Sequence, residues 1–141
     1  TFHQMNFMAK RSEADPHFEI GFYEKILKNS PNFVEALAAL GELYTRQGFY
    51  EKGLRTDERL ARLRSDDPVV LYNLACSYSL MNDITNALVA MKKAIELGYN
   101  EFEHLRNDPD LINLLGDQDF QTYFKTIRGK GRQARRKEGA V

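Results

Sequence analysis

The sequence predicts an all-α fold, built from antiparallel helix-turn-helix repeats stacked side by side into a solenoid. Three observations predict it. Apolar residues recur at helical spacing, helix starts and stops carry proline and glycine punctuation, and the landmarks return after 34 residues. No comparable strand alternation bounded by hairpin turns occurs, and the marks imply helices of about 12–16 residues joined by short loops.

The elements follow in order. Residues 1–14, with Phe2, Met5 and Met8 at helical spacing, read as a degraded first helix of an N-terminal repeat. Their apolar face is a possible route to self-association through that end. Asp15-Pro16 then opens a helix whose stripe is Ile20, Tyr23 and Ile26/Leu27. Ser30-Pro31 and Asp67-Pro68 open the next repeats in the same way, and Asp108-Pro109 a fourth helix. At each pair a side-chain oxygen caps orphan N–H groups, and proline stands where a missing donor costs nothing. The stripes are Leu37, Leu40 and Leu43/Tyr44, then Leu71, Leu74, Ala75 and Tyr78, then Ile84, Leu88, Met91 and Ile95. Gly48, Asn82 and Gly98 stand where helices should stop.

Shifting the chain by 34 superposes Leu37 on Leu71, Leu40 on Leu74, Gly41 on Ala75 and Tyr44 on Tyr78. Gly48 meets Asn82, Gly53 meets Ala87, and Leu54 meets Leu88. Small residues at Gly41/Ala75 and Gly53/Ala87 let the two helices of one repeat approach closely. One such hairpin cannot bury its apolar face alone, so neighbours must stack. The expected organisation is a half repeat at 15–33, full repeats at 34–67 and 68–101, capping helices at 100–127 and a basic flexible tail at 128–141.

This 34-residue pattern resembles the tetratricopeptide repeat. The stretch LYNLACSYSLMNDITNALVAMKKAIELGY carries the family's Leu74, small Ala75, Tyr78, Ala87 and Ala94, and the preceding repeat matches at Leu40, Gly41, Tyr44 and Gly53. Asp57 and Leu60 depart from the usual aromatic and alanine, and Ser65 and Tyr99 stand where proline is usual. The resemblance covers residues 15–99 and implies a right-handed superhelix with a concave groove lined by the first helix of each repeat. After Gly98, YNEFEHLRNDPDL and DQDFQTYF look similar to the closing segment of many bacterial tetratricopeptide proteins. There Phe120, Tyr123/Phe124 and Ile127 would supply the capping face, with Asp117 as N-cap.

Composition narrows the function. The chain has 141 residues and 16.3 kDa, enough for one domain that buries roughly 68–70% of its unfolded surface. Twenty Lys+Arg balance twenty Asp+Glu, but the distribution is uneven. Arg128, Lys130, Arg132, Arg135, Arg136 and Lys137 face only Glu138 in the tail, a net of +5, so the rest of the chain carries −5. The single Cys76 excludes an internal disulfide framework and a Cys-based zinc site. Apolar runs are a few residues long, so no transmembrane helix is expected. Residues 1–12 lack the charged-then-apolar order of a signal peptide, which makes the cytoplasm the expected location.

No catalytic constellation is visible, so neither an enzyme nor a cofactor is expected. His3, His17 and His104 lack metal-ligand spacing to one another or to Cys76. The acids Asp66-Asp67 and Asp108/Asp110 sit at helix starts, where they favour the macrodipole. Gly129-Lys130-Gly131 lacks the strand and the preceding glycine of a phosphate loop. The expectation is a non-catalytic module that binds a peptide segment or helix of a partner protein. Register assigns its groove to Glu35, Ala38, Glu42 and Arg46, then Val69, Tyr72, Asn73, Cys76 and Ser79. Repeats that clamp chaperone C-terminal carboxylates carry Lys and Asn where Ala38 and Glu42 stand, and only Asn73 matches, which argues against that partner. The alternatives are a regulatory segment of a larger enzyme or assembly, and salt-sensitive binding of RNA or another anionic partner by the tail. The tail shows no apolar face, so a membrane partner is not expected.

Overall fold

The computed structural model describes residues 15–139, with the backbone alone for 130–138. The proposed first helix at 1–14 lies outside the described residues. Among the described residues, five helices of similar length come first: α1 (Pro16–Asn29), α2 (Val34–Arg46), α3 (Tyr50–Leu63), α4 (Pro68–Leu80) and α5 (Ile84–Glu96). A short α6 (Phe102–Asn107), a 3-10 turn (Pro109–Leu111), α7 (Ile112–Leu115) and a long α8 (Gln118–Glu138) follow. No strand occurs among the described residues.

Local chemistry sets the boundaries. Asp15 accepts a bond from the Phe18 amide at 3.0 Å, Asp67 from the Val69 amide at 2.9 Å, and Asp117 from the Phe120 amide at 3.0 Å. Ser30-Pro31 behaves differently from the expectation. Ser30 closes α1, Pro31 lies in the following turn, and α2 begins at Val34 with no side-chain cap. In 34-residue register Val34, not Pro31, is the counterpart of Pro68, so proline here serves a turn.

The helix ends repeat one device. The amides of Phe49, Asp83 and Tyr99 bond back to the carbonyls of Tyr44, Tyr78 and Ala94, at 2.8, 2.9 and 2.9 Å. Such closure needs a left-handed residue, supplied by Gly48 (φ 84°), Asn82 (φ 57°) and Gly98 (φ 113°). Asparagine tolerates that region better than other side chains.

Packing follows the pairs α2–α3 and α4–α5, with α1 against α2 and α3 against α4. One core cluster joins Ile20, Leu27, Leu37, Leu40, Tyr44, Leu60 and Val70. The other joins Leu71, Leu74, Ala87, Met91 and Ala94 to Leu105, Leu111, Leu114, Phe120 and Phe124. Gly41 and Gly53 are required by close approach. A Cβ on Gly41 would meet Asp57 Oδ1 at 2.5 Å, and one on Gly53 would meet Thr45 Oγ1 at 2.8 Å. Asp57, the departure from the repeat pattern, is buried at 8% exposure and accepts a bond from Ser77 Oγ on α4. It ties the two repeats together through a carboxylate, where the repeat pattern that the chain resembles carries an aromatic ring.

Where the sequence reading expects a basic flexible tail at 128–141, the backbone of α8 runs as far as Glu138. The buried Phe120 and Phe124 fix the start of that helix. Once a helix is nucleated each further residue adds a backbone bond, and Gln, Ala, Arg and Lys favour extension despite Gly129 and Gly131.

Candidate partner-binding site

Glu35, Ala38, Glu42 and Arg46 lie three or four residues apart along α2, and all four lie on one face of it that is open to solvent. Arg46 pairs with Glu42 at 3.1 Å. Val69 and Asn73 continue an exposed surface at the start of α4. None of these six residues is buried.

Tyr72, Cys76 and Ser79 are, and the expectation of an open groove is corrected at these three positions. They lie 4, 7 and 0% exposed beneath the turn Pro109–Leu111 and α7, which pack on α4. The Tyr72 hydroxyl donates to Asp108 Oδ2 at 2.6 Å. The Cys76 thiol lies 3.8 Å from that oxygen and His104 Nε2 3.5 Å from it. Ser79 Oγ accepts from the Leu114 amide at 3.1 Å, and the Ser79 carbonyl accepts from Asn113 Nδ2 at 2.9 Å. Tyr99 stacks on Tyr72 with ring centroids 4.3 Å apart. Leu105, Leu111 and Leu114 complete the cover and are fully buried.

The electrostatics suit a structural latch. Burial, reinforced by Asp108, pushes both the Tyr72 hydroxyl and the Cys76 thiol well above their ordinary pKa values. Both stay protonated at neutral pH and can donate to the carboxylate, while a thiol held protonated is a poor nucleophile. No group of three or more His, Cys, Asp or Glu that could hold a metal occurs among the described residues. No described helix is long and apolar enough to cross a membrane.

The latch escapes sequence reasoning because Asp108 reads there only as a helix cap. It does cap the 3-10 turn, accepting from the Asp110 amide at 3.0 Å through Oδ1, while Oδ2 reaches Tyr72. The signal that could have exposed it is a proline-bounded segment too short for another repeat, next to the unusually apolar face of Val69, Tyr72 and Cys76. Of the tail residues, Arg128 is half-buried with its guanidinium over the Phe124 ring, 5.9 Å from the centroid. The positions of Lys130, Arg132, Arg135, Arg136 and Lys137 fall within α8.

Antiparallel helix pairs in 34-residue register, closed by identical turns and finished by a cap, decide the architecture. The fold is that of a tetratricopeptide-like solenoid. Solved structures agree. The chain is similar to MamA (41-end) from Desulfovibrio magneticus RS-1, with a TM-score of 0.68 and 20% identity over 89% of this chain and 72% of that one. It is also similar to a crystal structure of MamA, with a TM-score of 0.65 and 25% identity over 85% of this chain and 71% of that one. Among curated proteins it is similar to a chloroplastic protein of Arabidopsis thaliana, 33% identical over 88 residues. That match covers 60% of this tetratricopeptide-like chain and 26% of the Arabidopsis protein, so the chain spans about a quarter of that relative. No family model matches the chain.

Proposed function

We propose that this tetratricopeptide-like chain is a non-catalytic protein-interaction module. Its partner surface is the part of the concave face that the cap leaves free: Glu35, Ala38, Glu42, Arg46, Val69 and Asn73. One observation carries the reading. The chain's own segment from Asp108 to Leu114 already lies on the second repeat, whereas the equivalent face of α2 is exposed and has no covering segment among the described residues. A helix face suited by its fold to receive a segment supports binding of a partner's peptide or helix there. Val69, 57% exposed, supplies the apolar contact, and Asn73 supplies hydrogen bonds beside it.

The test is capture of a partner by the intact chain and by a Val69→Asp, Asn73→Ala variant from nuclease-treated lysate. A protein retained by the first and lost by the second supports the reading; equal retention by both sinks it.

A second reading rests on charge. Six cations within residues 128–137 favour salt-sensitive contact with RNA or another acidic partner. Capture that needs those residues and disappears at high salt would select it. Phe18 and Phe22, one helical turn apart and exposed on α1, similarly favour self-association at the N-terminal end. Sedimentation showing only monomer at high concentration would exclude that. For location, the sequence reading is the cytoplasm, and the chloroplastic relative makes an organelle the alternative; imaging of the tagged full-length protein decides.

A further inference from the structure

The two inter-repeat grooves on the other side of the solenoid are built on the same plan but filled differently. The first lies between α1 and α3 over α2, the second between α3 and α5 over α4. Their floors correspond in 34-residue register: Leu37, Leu40 and Tyr44 in the first, Leu71, Leu74 and Tyr78 in the second. One hydrogen bond even repeats, Tyr44 to Glu24 at 2.5 Å and Tyr78 to Glu58 at 3.1 Å.

The walls diverge. Where the first groove has Leu27, the second has Ala61; where it has Lys52, Asn86; where it has Arg55, Val89; where it has Thr56, Ala90. Each replacement shortens the side chain. In the first groove Arg59 reaches across to the Pro31 carbonyl and bridges the two walls, and Lys52 lies over the Tyr44 and Phe49 rings. In the second, their counterparts Lys93 and Asn86 make no such bridge; with Ser65, the counterpart of Pro31, they line an open groove of about 400 Å³. Val89 stands at its rim, 61% exposed.

Charge identifies what this groove would accept. Arg62 on the α3 wall and Lys93 on the α5 wall are exposed, and neither forms an ion pair with another described residue. Glu58, the acid on the same wall, is already engaged by the Tyr78 hydroxyl. The surface is therefore an apolar trough with an exposed cation on each wall and Glu58 as its one acid, a net charge of +1. Its size falls at the low end of binding clefts and suits a few side chains. We propose that the groove between α3 and α5 docks a short acidic segment of a partner protein, which sets aliphatic side chains on Leu71, Leu74 and Val89 and carboxylates against Arg62 and Lys93. This site is separate from the concave face and stands or falls without it.

Selection of a random twelve-residue peptide library on the full chain, at physiological salt, tests the proposal. The counter-target is the chain carrying Ala61→Leu, Asn86→Gln and Val89→Gln, which lengthens the groove-lining side chains toward those of the first groove without adding charge. Circular dichroism checks that this variant keeps its helices. The basic residues of α8 are common to both proteins, so their attraction for acidic peptides cancels. Expected are peptides that combine Asp or Glu with Leu, Ile or Val and lose about tenfold or more in affinity on the filled variant. A second variant, Arg62→Glu with Lys93→Glu, changes only exposed residues and should lose the same peptides and select basic ones. Peptides that bind the filled variant equally, peptides without acidic residues, or no enrichment at all would each overturn the proposal. So would a dimer of the unmodified chain that the filled variant abolishes, which would give the groove to a second copy.

Discussion

Tyr72 and Asp108 meet at 2.6 Å across 36 residues of sequence, and through that bond a repeat helix holds the segment that ends the array. The Asp108 carboxylate is only 12% exposed. Removing the phenol hydroxyl would leave Oδ2 with the weak thiol of Cys76 and the exposed His104, while Oδ1 keeps the Asp110 amide. Tyr72→Phe is expected to cost about 1–3 kcal/mol. Hydrogen exchange should rise across residues 105–114 before it rises in α2 and α3. Uniform loss of protection would show that the cap and repeats open together.

Asp57 should make stability depend on pH in a direction opposite to an ordinary ion-paired acid. Burial raises its pKa from 3.8 to about 6, and the bond from Ser77 only partly opposes this. Between these values the folded chain holds the proton more tightly than the unfolded chain. This residue's contribution to stability therefore falls as pH rises from 4 to 6 and stays low above 6. A shift of roughly two units sets an upper bound of about 3 kcal/mol. Urea midpoints should show Asp57→Asn more stable than the parent at pH 7.5, with the difference vanishing near pH 4.

Gly41→Ala should destabilise by about 1–3 kcal/mol, because its Cβ would overlap Asp57 Oδ1 at 2.5 Å. The second repeat tolerates Ala75 at the equivalent position, where the residue across the pair is Met91 rather than Asp57. Pairing Gly41→Ala with Asp57→Ala should therefore recover part of the loss in a double-mutant cycle. Purely additive losses would place the strain elsewhere.

Asn82 holds a left-handed backbone at φ 57°, and the side chain is exposed. Asn82→Gly should be neutral or slightly stabilising, and Asn82→Ala should lose about 1 kcal/mol through the added backbone strain. Thermal melting of the two variants checks the order.

Much of this was legible before the structure. The 34-residue period, Leu37/Leu71, Leu40/Leu74 and Tyr44/Tyr78 are local periodic signals, and the structure buries the leucines as helix-pair core. The α5 stripe was less legible. Ile84, Leu88 and Ile95 are not fully buried, whereas Ala87, Ala90, Met91 and Ala94 form the contact, because close helix approach selects small residues over large ones. The cap could not be read from periodicity at all. Tyr72, Cys76 and Ser79 occupy groove register, and what covers them is a non-repeating segment whose contacts depend on the fold. The open convex groove was equally hidden. Small residues at 61, 86 and 89 look ordinary singly and matter only when set against Leu27, Lys52 and Arg55 in three dimensions.

The latch also limits how such an array can grow. A duplicated copy of the first repeat placed next to the cap would present Ala38, Glu42 and Thr45 where Asp108 and Leu114 need Tyr72, Cys76 and Ser79. Glu42 would then face the Asp108 carboxylate. The second repeat is thus fitted to the cap by the identity of its side chains, and any repeat that an engineer or a gene duplication set beside the cap would have to carry the same three residues.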